Sequence, residues 1–234
     1  MGLLEDIRAL KTKAKNRRDD GRYVPALRFL ADAVDQATRG LDQATSPAQR
    51  STFAAELADI YGMMGGVERR LALEAEDGEA RAEHLAESVR WYDEGYTYES
   101  EEYGVVSSYN LVNRLVGRVL ADPELLADDD PGVDDGDHDV LQDQISDARR
   151  TVAGQLEESR SGDPWALADI ALLDLLGNTA NATTAYSALH RVSPPEYVYR
   201  SALDTVQPLA ELESVNQKEL STAVSELRAH LRTA

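Results

Sequence analysis

Five polar residues stand among apolar ones at helical spacing: Arg69, Arg70, Asn110, Asn113 and Arg114. An asparagine amide offers a donor and an acceptor together, which suits the clamping of a peptide backbone. An arginine beside it can fork onto a carboxylate. The pattern points to recognition of a protein or peptide, and these five residues are the candidate partner-binding set. Inter-helix hydrogen bonds that fix register use the same groups, so that reading stays open beside the first.

Catalytic chemistry has less to work with. The chain has 0 Cys, which excludes disulfides, thiolate nucleophiles and Cys-ligated metals. His84, His138, His190 and His230 fall on separate segments without ligand spacing and are expected at the solvated surface. Glu76 and Glu79 form an E-x-x-E pattern with Glu83 nearby, as in all-helical nucleotide pyrophosphohydrolases that hold magnesium with carboxylates. The second carboxylate pair such a site needs is missing downstream. A metal-dependent hydrolase is therefore the alternative, and the expectation is no enzyme, no metal and no cofactor.

Two other patterns fail on inspection. In the acidic run Asp128 to Asp137, counting back from Gly136 puts Pro131 and Val133 where a calcium loop needs acids. Gly62, Gly65 and Gly66 follow no strand, so they suit close helix packing better than a phosphate loop.

The chain of 234 residues can bury a sizeable core. Its 43 Asp+Glu against 24 Lys+Arg give a formal charge of −19, with lysine only at positions 11, 13, 15 and 218. That balance argues against nucleic-acid binding and against anionic membrane surfaces. Excess acid with scarce lysine is also the mark of a cytosolic protein from a salt-accumulating microbe, whose hydrated carboxylates keep it soluble. Three of the four lysines cluster with Arg8, Arg17 and Arg18, a local contrast that suits an acidic partner or self-association, beside the plainer reading of exposed helix surface. The N-terminus has acids where a signal peptide needs its apolar run. The longest apolar stretch, Ala166 to Leu176, is interrupted by Asp169 and Asp174. A cytoplasmic location is expected.

The elements that must position these residues are helices. Phe53, Leu57, Ile60, Met64, Val67 and Leu71 step by helical intervals after Ser46-Pro47, a cap and first-turn signal. Further helices are expected near residues 3–19, 25–43, 85–95, 105–120, 140–160, 164–176, 182–191, 196–212 and 217–231. Residues 96–103 are expected to be a connector. Residues 122–139 carry nine acids with Pro123, Pro131, Gly132 and Gly136, and predict a solvated loop. It divides N-terminal helical repeats at 1–121 from C-terminal ones at 140–234, unless the two halves form one continuous domain. The fold class is all-α, with antiparallel pairs in an array of about ten helices.

Two segments fit a 34-residue helical repeat, with large residues on its first helix and small ones on its second. Trp165 and Ala168 lead one, followed by Ala182, Tyr186 and Pro194. Tyr61, Met64 and Gly65 lead the other, followed after an insertion by Tyr92 and Gly95. These ten residues are the expected repeat-packing positions of a tetratricopeptide-like array.

Four stretches then carry a family resemblance: Ala58 to Arg70, Tyr92 to Gly95, Tyr103 to Leu115, and Asp163 to Asp169. In that order they resemble the TRAFs-binding, tetratricopeptide-like region of stress-activated MAP kinase kinase kinases and of many prokaryotic proteins. The resemblance spans roughly residues 50–210. It implies a non-catalytic helical scaffold that docks a protein or peptide in signalling or stress response. A kinase segment is missing and the acidic loop is extra.

Overall fold

The computed structural model describes residues 2–103, 107–126, 136–212 and 216–233; side chains at 103, 136–139, 183 and 233 are not described. Ten α-helices and no strand occur among the described residues. The chain divides into two compact units, residues 1–117 and 118–234.

The first unit holds α1 (Leu3–Asp19), α2 (Tyr23–Asp42), α3 (Pro47–Glu74), α4 (Gly78–Thr97) and most of α5 (Ser108–Ala121). Local chemistry sets the starts. Ser46 accepts the Gln49 N–H at 3.3 Å with Pro47 in the first turn of α3, and Asp77 accepts the Ala80 N–H at 2.9 Å to open α4. Short turns make neighbours antiparallel, and α1 packs on α2, α2 on α3, and α3 on α4. Ile7, Leu30, Leu57 and Ile60 form the centre of this core, flanked by Ala26, Ala33 and Ala37 along one face of α2. Alanines there let the helices close without voids.

One expectation from the sequence does not hold. Residues 96–103 are not a connector: α4 runs to Thr97 and continues as a π-helical turn, Tyr98–Tyr103. The wider turn carries Glu99 inward, where it is buried, and such turns are frequent at functional sites. Helix α5 begins at Ser108, and the expected start near Val105 lies outside the described residues.

The second unit holds α6 (Gly136–Glu158), α7 (Pro164–Leu176), α8 (Ser187–Val192), α9 (Glu196–Ala210) and α10 (Gln217–Thr233). Helix α7 starts at Pro164, as the sequence predicts, with the Asp163 side chain capping it, and its Leu173, Leu175 and Leu176 are fully buried. Asp174 is buried too, because Arg149 meets it at 2.6 Å and the Thr179 hydroxyl donates to it at 2.8 Å. The expected helix over 182–191 is instead a 3-10 turn, Ala182–Thr184, followed by α8. Ser193, at φ +47°, ends α8 in the left-handed region. Of the acidic loop, Pro123–Leu126 forms a 3-10 turn with Leu126 buried, and 127–135 lie outside the described residues.

Candidate functional site

The polar set of the first unit gathers where α5 lies over α3 and α4. Glycines make the approach possible. A Cβ on Gly62 would meet the Asn110 Oδ1 at 2.5 Å, and one on Gly95 would meet its Nδ2 at 2.6 Å. In the space so left, the Asn110 amide donates to the Ala58 carbonyl oxygen on α3 (3.1 Å) and to Glu99 Oε1 on the π turn (2.9 Å). One side chain thus joins three elements.

Asn113, one turn on, accepts from the Arg69 guanidinium at 2.6 Å and donates to the Tyr109 carbonyl oxygen at 2.8 Å. Arg114 lies 4.1 Å over the Tyr96 ring, with Asp93 at 3.4 Å. Arg70 is half-buried on α3. The fold therefore brings Arg69, Asn110 and Asn113 together, but with both amides turned into the helix seam. Arg114 is held against α4.

The repeat-packing positions of this unit meet as well. The Tyr92 ring sits against Gly65, whose carbonyl oxygen accepts the buried Ser88 hydroxyl at 2.8 Å, and Met64 is buried beside them. Tyr61 stacks with Trp91 (5.5 Å) and with Tyr98 (5.7 Å), and the Arg90 guanidinium lies 3.7 Å over the Trp91 ring. Burial within that stack pushes the Tyr61 hydroxyl up to about 12. In the second unit Ala168, Ala182 and Tyr186 are buried and Pro194 is half-buried. Trp165 departs from a packing role: it is 41% exposed and lies 6.0 Å from the exposed Tyr197.

Beside Asn110 opens a cavity of about 370 Å³ lined by Ala55, Ala58, Asp59, Glu99, Ser107, Tyr109 and Asn110. Glu99 dominates its chemistry. Burial lifts its carboxyl above the ordinary 4.5, against the opposite pull of hydrogen bonds from Ser107 and Asn110. The Ser107 hydroxyl reaches Oε1 at 2.6 Å and the Ser107 N–H reaches Oε2 at 3.1 Å. Near Asp59, Lys11 bridges Asp59 and Glu56, each at 2.5 Å. Burial lowers the Lys11 ammonium, but the two carboxylates outweigh it and leave it above 10.5. Arg8 also pairs with Glu56, so part of the N-terminal basic cluster is occupied within the chain.

Sequence reading missed Glu99 and Ser107. Glu99 sits in a run of acids, Glu99 to Glu102, that looks solvated throughout, and only the π turn singles it out. It also misplaced histidines. His84 Nδ1 lies 2.7 Å from the Glu68 carboxylate, and His190 packs edge-on against His230 at 3.7 Å and stacks on Tyr199 at 5.7 Å. The His138 side chain lies outside the described residues. Glu76, Glu79 and Glu83 are all exposed. No group of three or more potential His, Asp or Glu metal ligands occurs among the described residues.

A family model described as Tetratricopeptide Repeats-Sensor matches residues 2–118, half of the chain and nearly all of the first unit. The chain belongs to the Tetratricopeptide Repeats-Sensor family. This supports the tetratricopeptide-like array expected from the sequence, and it attaches the family to α1 through α5 rather than to residues 50–210. The candidate seam and its cavity fall wholly inside the Tetratricopeptide Repeats-Sensor match. Neither the curated proteins nor the solved structures gave a match. Among the described residues no helix is long and apolar enough to cross a membrane.

Proposed function

We propose that the chain is a non-catalytic protein-interaction scaffold whose Tetratricopeptide Repeats-Sensor unit recognises a protein or peptide partner at the α3–α5 seam. The observation that carries this reading is the cavity beside Asn110. Its polar wall is held by hydrogen bonds across three elements, so it presents a fixed shape without a partner's help. Arg69, Asn110 and Asn113 then act as positioning residues, and contact with the partner falls to Ala55, Asp59, Tyr109 and the buried Glu99.

The TRAFs-binding resemblance supports a place in signalling or stress response, and the acid-rich, lysine-poor composition supports the cytoplasm of a high-salt microbe. The hydrolase alternative has weaker support, because Glu76, Glu79 and Glu83 face solvent around a single turn.

The test is affinity capture from host lysate at high salt with the whole chain and with Ala55→Met, which fills the cavity from a half-buried position. A partner held by the wild type and lost from the folded variant supports the proposal. A partner held equally by both contradicts it.

A further inference from the structure

The cavity has a charge bias that a repeat pattern does not explain. Among the described residues its wall holds two carboxylates, Asp59 and Glu99, and no lysine, arginine or histidine. Glu99 is 5% exposed, and the three hydrogen bonds it accepts among the described residues all come from neutral donors of Ser107 and Asn110. Oε1 takes two of them and Oε2 one, which leaves Oε2 with acceptor capacity. Asn110, 1% exposed, lines the same cavity, and among the described residues no donor reaches its Oδ1.

Taking a carboxylate out of water is costly unless an opposite charge meets it. Lys11, the cation bound to Asp59, is shared with Glu56 and is not part of the cavity wall. The remaining wall is apolar: Ala55, Ala58 and the half-exposed Tyr109 ring, which offers a face to a cation.

We propose that this cavity binds one cationic N–H donor, a guanidinium or ammonium group on a short aliphatic stem. Its charge meets Glu99, and its stem lies along Ala55, Ala58 and Tyr109. The inference rests on reading the cavity as a recognition site, and it adds the chemistry of what is recognised. The cation is either an Arg or Lys side chain of a protein partner or a free amine.

The experiment is an NMR titration of the whole chain with n-butylguanidinium and with n-butylurea, its neutral counterpart, at low and high NaCl. The expected result is saturable shifts at the Ser107 N–H and the Asn110 side-chain amide that persist in high salt, with n-butylurea at least about tenfold weaker. Glu99→Gln should weaken n-butylguanidinium binding by about tenfold or more, and Ala55→Met should abolish it. Circular dichroism checks the fold of each. If Glu99→Gln does not fold, Ala55→Met, which keeps both carboxylates, decides. Equal binding of the two probes, shifts unchanged in Ala55→Met, or shifts spread over the acidic surface and lost at high salt would each overturn the inference.

A second arm compares acetyl-Gly-Arg-Gly-amide with agmatine. Peptide binding as tight as that of n-butylguanidinium assigns the cation to a partner's side chain. Agmatine binding with the peptide excluded keeps the inference and overturns the docking reading. Partner capture that survives where no cation binds overturns the inference alone.

Discussion

The Tyr92 ring lies against the backbone of Gly65, so close that a Cβ there would meet the ring at 2.8 Å. This contact sets the spacing of α3 and α4, since Tyr92 is fully buried and cannot swing to solvent. Gly65→Ala gains about 1 kcal/mol of helix propensity but overpacks the seam, for a net loss of about 1–2 kcal/mol. Gly66→Ala has the same propensity gain and meets only hydroxyl oxygens, at 3.3 and 3.4 Å, so it should fall between neutral and about 1 kcal/mol more stable. Chemical denaturation of the two variants separates them, and equal losses would contradict the assigned contact.

Asn110→Ala removes the only side chain that bonds both Ala58 on α3 and Glu99 on the π turn, among the described residues. It leaves a buried carbonyl oxygen and a buried carboxylate each short of a donor, for a cost of about 1–3 kcal/mol. Asn113→Ala breaks a bond to Arg69 at a less enclosed site and should cost less. Urea unfolding midpoints give the order. A larger loss for Asn113 would move the keystone of the seam from one amide to the other.

Helix positions were readable because period and capping agree. Ser46-Pro47 and Asp163-Pro164 mark the starts of α3 and α7, where side-chain acceptors meet the first free N–H groups. Tyr61, Gly65 and Tyr92 were readable as packing residues because a large ring needs a small neighbour. The π turn was not, since the groups that hold Glu99 inward, on Ser107 and Asn110, lie eight and eleven residues further along the chain. The amides of Asn110 and Asn113 were visible as unusual. Which way they face is decided by glycines 62 and 95, 48 and 15 residues upstream of Asn110, and no local pattern carries that.

Glu99 links the seam to pH. Its carboxyl is raised above 4.5 by burial, so the folded chain holds the proton more tightly than the unfolded chain does. The stability this contributes is present below pH 4.5 and is lost as pH rises through the folded value. The difference in stability between wild type and Glu99→Gln should therefore move in the variant's favour as pH rises from 4.5 towards neutrality. Thermal melts of both across that range measure it. A constant difference would mean that Glu99 is not held as the structure implies.

His190 has the opposite sign. Burial, with the nearby His230, lowers it from 6.5 to about 4, and the Glu226 carboxylate at 3.9 Å is too distant and too exposed to offset this. Its stability contribution is present above pH 6.5 and is lost as pH falls towards 4. His190→Phe, which keeps a ring against Tyr199, should flatten the acid side of the melting profile. An unchanged acid limb would assign that limb to other groups.

The central claim is that recognition happens at the α3–α5 seam. Amide hydrogen exchange of the whole chain, alone and bound to the partner recovered by capture, addresses it most directly. The account predicts new protection at residues 55–59 and 107–110. Protection confined to residues 118–234, with the seam unchanged, would contradict it.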